Sequence, residues 1–193
     1  MTITSNKISF FDSISPFVKL SSESKNTLLS LMLKQELQKG HVLVPTGNIC
    51  THVYYIEKGL ARTFYIKDSK EITEKFALEN SFTCSINSYV TQKADGKQIE
   101  LLEPSTVWSL PYKKLEELYD KYHDIERMGR HLITVELTQV HKRLSSLQFM
   151  SAQERYNDLI TYSPELLQRV PLGIISSYLG ITQETLSRIR TKI

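Results

Sequence analysis

Residues 183 to 188 of this chain read Gln-Glu-Thr-Leu-Ser-Arg, and four of those side chains could do recognition chemistry. Gln183 with Ser187 and Glu184 with Arg188 are i, i+4 pairs, so on a helix all four fall on one polar face. An arginine can donate to both acceptors on the major-groove edge of guanine, and a glutamate can accept from the cytosine amino group. Thr182, Arg190 and Lys192 flank that face. They suit phosphate contacts, which position a protein on nucleic acid without reading sequence. A purely structural explanation competes. Glu184 in a first helical turn favours the helix dipole, and Glu184 with Arg188 is an ordinary intrahelical ion pair.

The elements that must position this face decide between the two. In "PLGIISSYLGITQETLSRIRTKI", Ile175 and Leu179 are i, i+4 on a first short helix, and Ser176 is small where a second helix would cross. Gly180 can take the positive φ of a tight turn, and Thr182 can cap the next helix. Leu186, Ile189 and Ile193 give that second helix an inward face. Together these form a helix-turn-helix pattern, and the polar face lies on the side such a motif offers to DNA.

Residues 124–149 contain no proline and one glycine, and can form one helix of about 26 residues and about 39 Å. Two apolar stripes run along it at coiled-coil spacing: Ile125, Met128, Leu132, Val135, and Ile133, Leu137, Val140, Leu144, Leu147. A helix with two seams needs two partners. Either stripe could face its own domain and the other a symmetry mate; the first is the leading candidate for the shared seam.

Upstream, the segment from Ser21 to about Leu37 reads as a serine-capped amphipathic helix. Short β-rich runs such as "HVYYIEKG", "LARTFYI" and "STVWSL" then suggest a compact antiparallel barrel or sandwich, and "YKKLEELYDKY" turns helical. The fold class is α+β, in three parts: a β-roll with an N-terminal helix over 1–117, a long helix over 118–150 and a helix-turn-helix over 151–193.

Twenty-four basic against 21 acidic residues give a net charge of +3, too mild to imply nucleic acid by itself. Cys50 and Cys84 are the only cysteines, too few for a four-cysteine metal site, and fit a reducing cytoplasm. No run reaches the roughly 18 apolar residues of a membrane span. A cupin-type metal enzyme would need a companion for His52 and Glu57, and none is near in sequence. No nucleophile–base or phosphate-loop arrangement is present, so no enzyme activity is expected.

Nearly the whole chain resembles the cyclic-AMP receptor protein / fumarate-and-nitrate-reduction regulator superfamily of bacterial transcription regulators. The residues that carry the resemblance are "KGHVLVPTGNICTHVYYIEKGLARTFYI", "VWSLPYKKLEEL", the helix 124–149, and "ETLSR" at Glu184 to Arg188, which matches that family's E-x-x-S-R recognition motif. The resemblance implies a double-stranded β-helix sensor, a dimerisation helix and a winged-helix-like C-terminal unit, here with the wing reduced. It implies a homodimer, double-stranded DNA with an inverted repeat, and RNA polymerase as partners. Cyclic-nucleotide-binding members carry a Gly-Glu pair and, about ten residues later, Arg-Ser. Here Asn80-Ser81 and Asp95-Gly96 stand in those places, so cyclic AMP is not expected as effector. The cysteine cluster of the iron–sulfur branch is absent. His41, His52, His123, His131 and His141 are read as surface or helix residues rather than haem ligands. No cofactor is expected and the effector is unknown. The alternative is a β-roll small-ligand-binding dimer without DNA-binding activity.

Overall fold

The computed structural model describes residues 9–191. In chain order the elements are α1 (Ser9–Ile14), α2 (Ser22–Leu31), β1 (Leu33–Leu37), β2 (Val42–Val44), β3 (His52–Lys58), β4 (Ala61–Lys67), β5 (Lys70–Ala77), β6 (Ser81–Thr83), α3 (Ile86–Thr91), β7 (Lys97–Leu101), β8 (Ser105–Pro111), α4 (Tyr112–Lys121), α5 (His123–Phe149), α6 (Ala152–Tyr162), α7 (Pro164–Arg169), α8 (Leu172–Leu179) and α9 (Gln183–Arg190).

Two four-stranded antiparallel sheets, ordered β1-β8-β3-β6 and β2-β7-β4-β5, face each other. Val44, Ile56, Ala61, Ile99, Leu101 and Val107 fill the space between them. The opposite face of the first sheet is also apolar: Tyr55 and Trp108 meet Phe10 of α1, Leu28 of α2, Leu115 of α4 and Ile125 of α5. This is why the middle of β3 carries three buried residues in a row, Tyr54, Tyr55 and Ile56, instead of a wet face.

The helix expected to reach Leu37 stops at Leu31. Ser21 caps its start, accepting from the Ser24 amide at 3.0 Å. Met32 then turns extended and residues 33–37 pair with β8. Helix propensity in "LKQEL" is a weak preference, and long-range pairing overrides it. Glu36 accepting from Thr106 at 2.9 Å and Lys34 paired with Glu57 at 2.9 Å hold the strand. "TYSPELLQRVP" forms the end of α6 and α7, and among the described residues beyond α5 there is no strand.

The long helix forms, with 27 residues, after a one-residue break at Tyr122. Its first stripe needs correcting as a shared seam. Ile125 is fully buried and Met128 5% exposed in the core of their own chain, with Leu132 packed at its edge, so these residues already have their partners. Only Val135 of that set is exposed. The second stripe is the uncovered one: Ile133, Leu137, Val140, Leu144 and Leu147 are each 45–56% exposed.

Asp124 joins the start of α5 to α2. Its carboxylate accepts from the Ser21 amide at 2.8 Å and the Ser24 hydroxyl at 2.7 Å. Burial pushes its pKa up, but these hydrogen bonds and the amide of Ile125 outweigh that and hold it below the usual aspartate value. A depressed carboxylate stabilises the fold above its unfolded pKa, about 3.9, and the contribution fades as pH falls through the folded value. Asp124→Asn is therefore expected to cost about 0.5–1.5 kcal/mol at neutral pH, its site being half-exposed. In urea titrations the gap to wild type should narrow as pH falls below the unfolded value of about 3.9. A gap that stays constant across that range would contradict this role.

Candidate nucleic-acid interface

The two short helices α8 and α9 are held over one apolar cluster. Ile175, Leu179 and Leu186 are at most 1% exposed and Ile189 is 8% exposed, packed with Tyr156 and Leu159 of α6 and with Leu166 of α7. Gly180 sits at φ +66°, ψ +36°, the left-handed conformation that ends a helix without a Cβ penalty, and the amide of Ile181 donates back to the Ser176 carbonyl at 3.0 Å. Ser176 is 3% exposed, with its hydroxyl turned into its own helix at Gly173. Thr182 caps α9, accepting from the Thr185 amide at 3.2 Å.

With the apolar side turned in, Gln183, Glu184, Ser187 and Arg188 are all exposed. At 100° per residue they span a face roughly 140° wide. Thr182 lies exposed at its start and Arg190 along its Gln183 edge. Lys192, also expected to meet phosphate, and Ile193, expected on the inward face, lie outside the described residues. Gln183 reaches back over α8: a side chain at Gly173 would run into its amide.

The intrahelical ion pair that competed as an explanation does not form, for no Glu184–Arg188 bridge is among the ion pairs of the described residues. The Glu184 carboxylate is lowered in pKa first by the Thr182 hydroxyl and then by its own amide, with the charge of Arg188 the smallest influence. Arg188 reaches only the Thr185 hydroxyl, at 3.3 Å. Both groups keep hydrogen-bonding capacity directed at solvent.

Several residues that support this face were not legible in the sequence. Arg155 donates to the Leu179 carbonyl at 2.9 Å and the Met150 carbonyl at 2.6 Å, satisfying the end of α8 from 24 positions away. Arg143 of α5 donates to the Tyr178 carbonyl. Helix C-termini favour such donors, but nothing in local spacing says which arginine arrives.

Asn80 lies in the β5–β6 turn, where its amide donates to Ile56 and its side chain accepts from the Tyr55 hydroxyl; Ser81 donates to Leu78. Ser85, ten positions before Asp95 and at the start of α3, donates its hydroxyl to the Asp95 carboxylate. That carboxylate also accepts from the Lys97 amide at 3.0 Å. His52 and Glu57 do not converge on a common point: His52 contacts the Thr51 hydroxyl, and Glu57 is taken by Trp108 and Lys34. His131 stacks on Phe17. Among the described residues no three metal-ligating side chains cluster, and no helix is long and apolar enough to cross a membrane.

A roll of two antiparallel sheets is followed by a long helix with an open seam and by a helix pair in helix-turn-helix arrangement. A family model for the cyclic nucleotide-binding domain matches residues 34–122. The anaerobic regulatory proteins of Haemophilus influenzae and Pasteurella multocida are 26% and 28% identical, each over 81% of this chain. The chain spans 65% and 61% of those relatives' lengths, less than two thirds. A solved structure from Eubacterium rectale, assigned to the crp/fnr family of transcriptional regulators, superposes with a TM-score of 0.71 at 16% identity, covering 88% of this chain and 82% of that one. Over most of its length the chain is similar to regulators of the cyclic-AMP receptor protein / fumarate-and-nitrate-reduction regulator superfamily.

With an acidic side chain where a phosphate-holding arginine would stand, cyclic AMP is expected to bind poorly. Losing two charge-assisted bonds of about 1.5–3 kcal/mol each weakens affinity by roughly two to four orders of magnitude. Calorimetry should detect no low-micromolar binding; an affinity in that range would contradict the role given to Asp95.

Proposed function

We propose that this protein is a homodimeric, sequence-specific, DNA-binding transcription regulator of the cytoplasm, with no enzymatic activity. Its β-roll is a sensor of unknown effector, and RNA polymerase is its downstream partner. The observation that carries the reading is the exposed face of α9, where Glu184 and Arg188 stand beside each other without pairing. A carboxylate near DNA phosphates costs affinity unless it accepts from a base, so an unpaired Glu184 at the front of a recognition helix makes sense as a base reader. Gln183 and Ser187 complete the base-facing set, and Thr182, Arg190 and Lys192 take the phosphate role. By the family likeness, Arg188 reads a G and Glu184 a C on the opposite strand.

The open stripe Ile133, Leu137, Val140, Leu144 and Leu147 supports pairing with a second copy about a two-fold axis, since it has coiled-coil spacing and stays exposed in its own chain. In domain terms, the sensor spans 1–117, the pairing helix 118–150 and the DNA-binding unit 151–193. The first boundary falls within α4, which stays packed on the roll.

Binding-site selection from random DNA tests the reading. Wild type should select an inverted repeat with half-site centres about 10–10.5 bp apart. Arg188→Ala should cost about 1–3 kcal/mol per half-site and blur the G position. Glu184→Ala should relax one base pair while sparing nonspecific binding. Lys192→Ala should weaken all sequences alike and lower the salt slope by about one per subunit. If wild type enriches no sequence, the alternative of a ligand-binding dimer without DNA-binding activity stands instead.

Pairing is tested separately. Leu137→Glu combined with Val140→Glu should give a folded monomer in sedimentation and abolish operator binding. Ile125→Glu should destabilise the monomer itself, because it places a charge in a closed core. A double variant that remains dimeric would remove the outer stripe from the interface.

A further inference from the structure

The C-terminal helices rest on the roll through contacts that neither part makes alone. Helix α8 lies beside β5, the outer strand of its sheet. The Ser177 hydroxyl accepts from the Thr73 amide at 2.8 Å and donates to the Glu71 carbonyl at 2.7 Å, serving two edge groups that another strand would otherwise serve. The next ring, Tyr178, packs on Phe76 of β5 with centroids 5.0 Å apart, and the Arg143 guanidinium of α5 lies 4.1 Å from the Tyr178 ring centroid.

Three turns of the roll converge beneath α7. The β3–β4 turn gives Leu60, fully buried, and the β7–β8 turn gives Leu102, 7% exposed; both belong to the apolar cluster under α8 and α9. Glu103 of the β7–β8 turn and Glu79 of the β5–β6 turn both grip Arg169, the last residue of α7. The guanidinium donates to Glu79 at 2.7 and 3.0 Å and to Glu103 at 2.6 and 3.2 Å. Glu79 also accepts from the Gly59 amide at 3.0 Å. Planar, two-sided recognition of this kind is specific to arginine; an ammonium cannot reproduce it.

The covalent link between α5 and α6 is short, with Met150 extended at φ −99°, ψ +141° as the break in the helix. That break and those at Ser163, Pro171 and Gly180 leave the rotation of α9 about α5 to be fixed by noncovalent contacts. The β5 edge and the socket formed by these turns supply them, and α5 adds Arg143.

We propose that Arg169 and Ser177 are positioning residues that set the operator spacing: by pinning α7 and α8 to the roll they fix the angle between the recognition helix and the pairing seam. The inference rests on the DNA-binding dimer reading and goes beyond it, since it concerns residues that touch neither base nor phosphate. Base contacts on α9 read each half-site locally. The distance and rotation between half-sites depend on the rigid path from one α9 through both α5 helices to the other. Each added base pair turns one half-site by roughly 34–36° and moves it about 3.4 Å, so a rigid dimer accepts one spacing and a loosened dimer several.

The test uses operators with two copies of the selected half-site separated by graded spacers, together with single half-site DNA. Wild type should prefer its spacing over neighbouring ones by about tenfold, the scale of one strong contact. Arg169→Gln and Arg169→Lys should both reduce that preference to about threefold or less while keeping the order of base preferences in a single half-site. Ser177→Ala should change it in the same direction and speed hydrogen exchange at the Thr73 amide. Unchanged spacing preference in Arg169→Gln and Ser177→Ala overturns the proposal. If Arg169→Gln loses half-site recognition as well, Ser177→Ala decides by the same criterion. Wild type that binds its operator but ignores spacing overturns this inference alone; wild type that binds no DNA overturns the functional reading and this inference with it.

Discussion

A helix of 27 residues with two apolar stripes cannot bury both against a single neighbouring surface, and most of this architecture depends on how α5 meets that constraint. Its first turns are absorbed by the chain itself: Ile125 and Met128 enter the cluster built on Tyr55 and Trp108, with α1, α2 and α4 closing around them. Further along, the helix leaves that cover and presents a regular seam of half-exposed leucine, isoleucine and valine side chains. One end of the helix is thus anchored to the roll and the other presents an uncovered apolar stripe. Lys75 of β5, paired with Glu136 at 2.7 Å, ties the roll to the helix near the middle of its length.

The recognition face depends on this anchoring at one remove. Helix α9 turns its polar side outward because Leu186 and Ile189 are held inward, and they are held by a cluster that includes residues of the roll. The C-terminal unit is therefore distinct in sequence and continuous in packing with the roll. Any change in the turns carrying Leu60, Glu79 and Glu103 acts on the floor beneath α7 and α8. That gives a physical path from the roll to the polar face of α9 without a long flexible linker.

What could be read from the sequence was local. The Gly180 turn, the Thr182 cap and the alternation of buried and polar positions on α9 lie within a dozen residues, and each constrains the next. The continuity of α5 was likewise visible from its lack of breakers and its regular spacing. What could not be read depended on distant partners. Residues 33–37 carry helix-forming types, yet β8 claims them as a strand. Both α5 stripes were visible, but the choice between them turned on Trp108 and Phe10, far away in sequence. Nothing in local spacing points to Ser85, at the start of α3, as the partner of the Asp95 carboxylate. Arg169 and Ser177 gave no signal, because an arginine between two carboxylates 24 residues apart and a serine on a strand edge have no periodicity.

The central claim is that two copies pair along the outer stripe of α5 and so hold two recognition faces about one DNA turn apart. Pulsed electron-spin measurement of the distance between labels at position 191 of the two protomers addresses it directly, Thr191 being exposed at the end of α9. On operator DNA such pairing requires a single distribution centred near one helical turn, about 34–36 Å before allowance for the label tethers. It also requires that distribution to vanish when Leu137 and Val140 carry charges. Absence of intermolecular coupling in the wild type, or a distance far from one turn that survives those charges, would contradict it.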